Sequence, residues 1–173
     1  RGIEKVSNLR YFIANYESPF IFANFNGTSG DVDVLTHEAG HAFQVFSCRH
    51  FDVLEYMWPT YEACEIHSMS MEFFARPWIH LFFEEDTDKY LYSHLVGTIT
   101  FLPYGVCVDE FQHEVYNNPD MSKDERTALW RRLEEKYMPF KVYDNEVFNR
   151  GTWWYRQSHI FTSPFYYIDY TLA

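Results

Sequence analysis

At 173 residues the chain is the size of one domain, able to bury about 70% of its unfolded surface in a single core. Its composition, 47% hydrophobic and 23% charged, is that of an ordinary globular protein, and an aromatic content of 21% suggests a large core or an aromatic-lined cleft. A net charge of -11, with no basic run that could follow a phosphate backbone, argues against nucleic acid as a partner.

The N-terminal stretch RGIEKVSNLRYF has no apolar leader, and no window is expected to approach the roughly 18 apolar residues of a membrane span. Three cysteines (Cys48, Cys64, Cys107), odd in number and without a Cys-x-x-Cys pair, fit buried thiols in a reducing, cytoplasmic compartment. The missing initiator Met and the apolar end FYYIDYTLA suggest a fragment of a longer protein.

Taken in chain order, SPFIFANF reads as a short strand, with Phe20, Phe22 and Asn24 on one face and Ile21, Ala23 and Phe25 on the other, broken by Asn26-Gly27 and Ser29-Gly30. A helix follows, capped by Thr28 or Ser29, with Asp31 and Asp33 near its positive end and an apolar stripe of Val32, Leu35, Ala39, Ala42, Phe43 and Phe46. After Pro59, the stretch TYEACEIHSMSMEFFARPW reads as a second amphipathic helix, with Thr60 able to cap it and Ala63, Ile66, Met69, Phe73 and Phe74 as its apolar side, and Pro77 ends or kinks it. The stretch from Asp86 to Asn118 predicts one or two long helices with a break near Pro103 and Gly105. Ser122 with Glu125 forms a capping box for a helix whose apolar side is Ala128, Leu129, Leu133 and Tyr137, and a last helix is expected to start near Pro164. The fold class is mainly α with one strand or a small sheet.

The chemistry sits in LTHEAGHAFQ. On a helix His37 and His41, four apart, lie one above the other and can direct two imidazole nitrogens at one ion. Glu38, one residue round, can take a proton from a water whose pKa the metal lowers, which is why His-Glu-x-x-His is a metallopeptidase signature. A similar string, His113-Glu114, has Asn117 where the second histidine is needed and reads as a solvated face. A third ligand is required, and Glu62, Glu65 and Glu72 share one side of the next helix. His159 and the tyrosines Tyr167 and Tyr170 could donate hydrogen bonds to a developing oxyanion, although a tyrosine-rich helix more often packs a core. Gly40, between the two histidines, costs helix stability by about 1 kcal/mol relative to Ala, so its presence suggests close packing against a neighbouring element.

Three ordered segments, FNGTSGDVDVLTHEAGHAF, PTYEACEIHSMSMEFF and SHIFTSPFYYIDYTLA, resemble the zinc oligopeptidases of the thimet oligopeptidase and oligoendopeptidase F group, most closely its bacterial oligoendopeptidase F branch, from Pro19 to Ala173. The resemblance implies a zincin-type catalytic core, residues 1–173 as a single domain of a longer two-lobed helical peptidase, and a channel that admits short unstructured peptides. It selects Glu65 over Glu62 as the third zinc ligand and makes Glu72 a supporter of a ligand histidine. It also assigns His159, Tyr167 and Tyr170 to the substrate carbonyl, with Tyr166 as an alternative to Tyr167. Phe22, Ala23 and Asn24 would then pair with an extended peptide as an added strand.

Overall fold

The computed structural model describes residues 9–13 and 16–173. They divide into two compact units, the first running up to His94 and including Ala173, the second Leu95–Leu172.

In the first unit β1 (Leu9–Ile13) pairs antiparallel with β2 (Ser18–Phe22), Tyr11 opposite Phe20 and Ile13 opposite Ser18. The sequence reading found β2 but not β1, and it carried the strand on to Phe25, whereas the ladder ends at Phe22 and Ala23 to Asn26 are irregular. Along β2, exposed Phe20 and Phe22 alternate with half-buried Pro19 and Ile21, the period-two pattern of a hairpin laid on a helix.

That helix is α1 (Ser29–Ser47), with Thr28 in the N-cap position. Thr28 makes no side-chain cap; the carboxylate of Asp31 instead accepts the backbone N–H groups of Asn26 at 2.9 Å and Gly27 at 2.6 Å, tying the entering loop to the first turn. Its buried side is not the stripe drawn from apolar spacing. Phe43 and Phe46 are 63% and 42% exposed, while Glu38, Gly40, His41 and Val45 face inward.

The second predicted helix is divided in two, α2 (Tyr61–Cys64) and α3 (Ile66–Phe74), with Glu65 between them at φ -95, ψ -6. Pro77 sits in a 3₁₀ turn, Arg76–Trp78, that ends this run, as the sequence suggests. A short α4 (His80–Phe83) and a turn through Glu84, at φ 46, lead into α5 (Thr87–Asn117).

No break occurs at Pro103. Helix α5 is continuous over 31 residues, since proline deletes one ladder N–H and the intact turns on either side carry the helix past it. The stretch His80–Asn117 also contains an 18-residue window of mean hydropathy 1.3, so one segment does reach membrane-spanning length and composition, contrary to the sequence expectation. Only 17% of that window is buried, and one such helix does not by itself indicate a membrane span.

The second unit packs the later turns of α5 against α6 (Lys123–Tyr137), α7 (Glu146–Asn149), a 3₁₀ turn at Trp153–Arg156, α8 (His159–Thr162) and α9 (Ile168–Leu172). Its core is Cys107, Val108, Phe111, Leu129, Trp130, Leu133, Met138 and Trp154. The expected capping box is present, Ser122 Oγ accepting from Glu125 N–H while Glu125 accepts from Ser122 N–H. Gly151, at φ 98, lies so close to α6 that a Cβ there would fall 2.3 Å from the Thr127 carbonyl oxygen. The last helix starts at Ile168, not near Pro164. Phe165 adopts φ 63 and donates its N–H to Gln112 Oε1 at 2.8 Å, and this turn delays the helix.

Candidate active site

Helix α1 carries His37 and His41 one turn apart, and their Nε2 atoms lie 3.2 Å from each other. Glu65 comes to them across the contact between α1 and α3. Its Oε2 is 3.1 Å from His37 Nε2 and 3.2 Å from His41 Nε2. The approach depends on Gly40, where an added Cβ would stand 2.6 Å from Ser68 Cα and 2.7 Å from His67 O. The expectation of close packing at Gly40 is met.

Glu65 is 1% exposed and Ser68 Oγ donates to its Oε2 at 2.9 Å. The three carboxylates that shared one predicted stripe separate by environment. Glu62 is exposed, Glu65 is buried, and Glu72 is half-buried with Oε1 accepting from His37 Nδ1 at 2.8 Å. Burial disfavours the charged imidazolium of His37, but the hydrogen bonds to Glu65 and Glu72 outweigh it and lift the pKa to about 9. Burial likewise pushes Glu72 up, and the hydrogen bonds from His37 and His94 more than reverse this and hold its carboxyl low.

This donor set fits a metal. Two imidazole nitrogens and a carboxylate oxygen converge, with pairwise separations of 3.1–3.2 Å. Ligand atoms 2.0–2.1 Å from a tetrahedral zinc stand roughly 3.3 Å apart. Glu38, the next residue round α1 from His37, is buried at 9% exposure. The string at His113 behaves as a solvated face, its side chain 61% exposed and 3.5 Å from Asp109 Oδ2.

Sequence reasoning missed His94. Its Nε2 donates to Glu72 Oε2 at 3.1 Å, and a histidine within an apolar helical run gives no spacing signal toward a carboxylate on another helix. Asp33, read as a dipole partner, also accepts a short hydrogen bond from the Tyr90 hydroxyl.

In the second unit His159 gathers the predicted tyrosines. Ring centroids of Tyr167 and Tyr170 lie 5.0 and 5.7 Å from it, and that of Tyr166 lies 6.3 Å away in parallel. Gln157 Nε2 is 2.7 Å from His159 Nδ1. Tyr167 packs against the core beside Phe101 and Tyr104, and burial pushes its hydroxyl up to about 12, which keeps it a hydrogen-bond donor at neutral pH. In the first unit, Phe22 is the last residue of β2, which pairs on one edge with β1 and with no other strand among the described residues. Ala23 and Asn24 follow it outside the ladder.

The profile of peptidase family M3 matches residues 7–173. The chain belongs to that family. Among solved structures, it is similar to an oligoendopeptidase F (62% identity, TM-score 0.90) over 94% of this chain and 29% of that one. A PZ peptidase A solved with an inhibitor is 62% identical, TM-score 0.91, over 95% of this chain and 30% of that one. An oligoendopeptidase F from Bacillus anthracis strain Ames is 59% identical, TM-score 0.79, over 95% of this chain and 26% of that one. No curated protein matches. This family M3 chain therefore spans less than a third of the length of the solved structures it resembles, and the part it covers is mainly helical.

Proposed function

We propose that the protein containing this chain is a zinc-dependent oligoendopeptidase that hydrolyses internal bonds of short, unstructured peptides. The observation that carries the reading is the triangle of His37 Nε2, His41 Nε2 and Glu65 Oε2, with edges of 3.1–3.2 Å. These three residues hold the ion, and two imidazoles with one carboxylate suit zinc. When bound, zinc supplies Lewis acidity, polarising the scissile carbonyl and acidifying water near neutral pH.

Glu38 accepts the proton from the attacking water and passes it to the leaving amine. Glu72 holds His37 through Nδ1, leaving Nε2 for the ion. His159 with Tyr167 and Tyr170 donates to the carbonyl oxygen as charge develops there, an assignment supported by their chemistry and by family membership. Phe22, at the end of β2, and Ala23 and Asn24, which follow it outside the ladder, align the substrate backbone. Residues 1–173 act as one catalytic-core domain, and the free thiols fit a cytoplasmic setting.

An aminopeptidase reading needs an acidic anchor for the substrate amine, and exposed Glu62 offers no enclosed one. The deciding experiment pairs elemental analysis of the full-length protein with cleavage of an N-acetylated fluorogenic peptide. One zinc per chain and internal cleavage are expected. Absence of zinc, or refusal of every blocked peptide, overturns the reading.

A further inference from the structure

We infer that His94 is a positioning residue of the metal centre, fixing the imidazole of His37 through the two oxygens of Glu72. The inference rests on the metal reading above. Glu72 is a bridge with one hydrogen bond on each oxygen, His37 Nδ1 to Oε1 at 2.8 Å and His94 Nε2 to Oε2 at 3.1 Å. Its terminal torsion is otherwise soft, since carboxylate torsions have broad wells. A donor on the second oxygen removes that freedom and sets the plane in which Oε1 meets His37.

His94 is itself held. Its side chain is 7% exposed, its ring lies nearly parallel to that of Tyr90 at 5.8 Å and edge-on to Phe73 at 5.0 Å. The surrounding frame has two rungs. Tyr90 and His94 are one turn apart on α5, and Asp33 and His37 are one turn apart on α1. Tyr90 donates directly to Asp33, and His94 reaches His37 by way of Glu72. Two helices are thereby locked in register at the turn that carries the first ligand. Partners of this kind tune metal affinity because they orient the ring and settle which nitrogen carries the proton.

The test uses the full-length protein and its His94→Leu, His94→Gln, Glu72→Gln and Glu72→Gln/His94→Leu variants, with zinc affinity measured by chelator competition. His94→Leu should weaken zinc binding about 10–100-fold. His94→Gln, whose amide N–H can still donate to Oε2, should stay within about threefold of wild type. In the Glu72→Gln background, His94→Leu should add less than about a threefold loss, because the two residues act in series. The same non-additivity is expected in thermal midpoints of the metal-free proteins. The assignment is overturned if Leu and Gln lose affinity equally, if Leu loses none, or if the losses simply multiply. A wild type that binds no zinc sinks the proposed function instead, and the metal-free cycle then decides the bridge.

Discussion

Gly40 and Ser68 approach so closely that a single methyl group on Gly40 would stand 2.6 Å from Ser68 Cα. The near atoms are mostly backbone, so the clash cannot be relieved by turning a flexible side chain. Alanine would gain up to about 1 kcal/mol of helix propensity, but overpacking costs about 1–3 kcal/mol or more. The second effect wins, and it acts along the line that brings Glu65 to the histidines. Gly40→Ala should therefore lower thermal stability and zinc affinity together. A variant that melts and binds zinc as wild type does would show that α1 and α3 are not held by this contact.

Glu38 and Glu65 are both buried, at 9% and 1% exposure, yet their replacement should act differently. Glu38→Gln keeps shape and leaves the three ligand atoms in place, so zinc content should remain while the rate falls about 10²–10⁴-fold, the usual worth of a general base. Glu65→Ala removes a ligand atom, so zinc itself should be lost. Metal content and peptidase rate measured on the same preparations separate the two roles, and a Glu38→Gln enzyme working at wild-type rate would remove Glu38 from the chemistry.

The Ser122–Glu125 capping box closes the N-terminus of α6. Ser122→Ala should destabilise the protein by about 1 kcal/mol, with no effect on zinc content. Chemical denaturation against an unchanged metal analysis checks both halves of that statement.

Features that depend on local chain geometry were legible in the sequence: the i, i+4 histidines and the capping box. The glycine between the histidines signalled a close neighbour, but not that Ser68 is that neighbour. What failed depended on partners remote in the chain. Spacing alone left Glu62, Glu65 and Glu72 equivalent, because a continuous helix was assumed; the break at Glu65 and its burial distinguish it. Apolar periodicity picked Phe43 and Phe46 as the inner side of α1, whereas its inner face buries the polar residues of the site. An apolar stripe says that something covers it, not which element does. His94 was invisible for the same reason, its carboxylate partner being 22 residues away on another helix.

Cys107 gives a pH-dependent prediction away from the metal. Its side chain is 0% exposed, and burial raises its pKa from 9.0 to about 12. The folded chain holds a proton that the unfolded chain releases, so the stabilisation is full below the unfolded value and is lost as pH rises toward the folded one. Stability should accordingly fall above about pH 9, with a limiting slope of about 1.4 kcal/mol per pH unit for this one proton. Cys107→Ala removes the proton and should flatten the profile, although it also leaves a small cavity that lowers stability at every pH. The same burial predicts that iodoacetamide at pH 8 alkylates half-exposed Cys48 well before Cys107 in the native protein. Denaturant titrations of wild type and Cys107→Ala at pH 8 and pH 10.5 make the comparison. Equal losses of stability in the two proteins over that interval would show that the Cys107 thiol is not the group responsible.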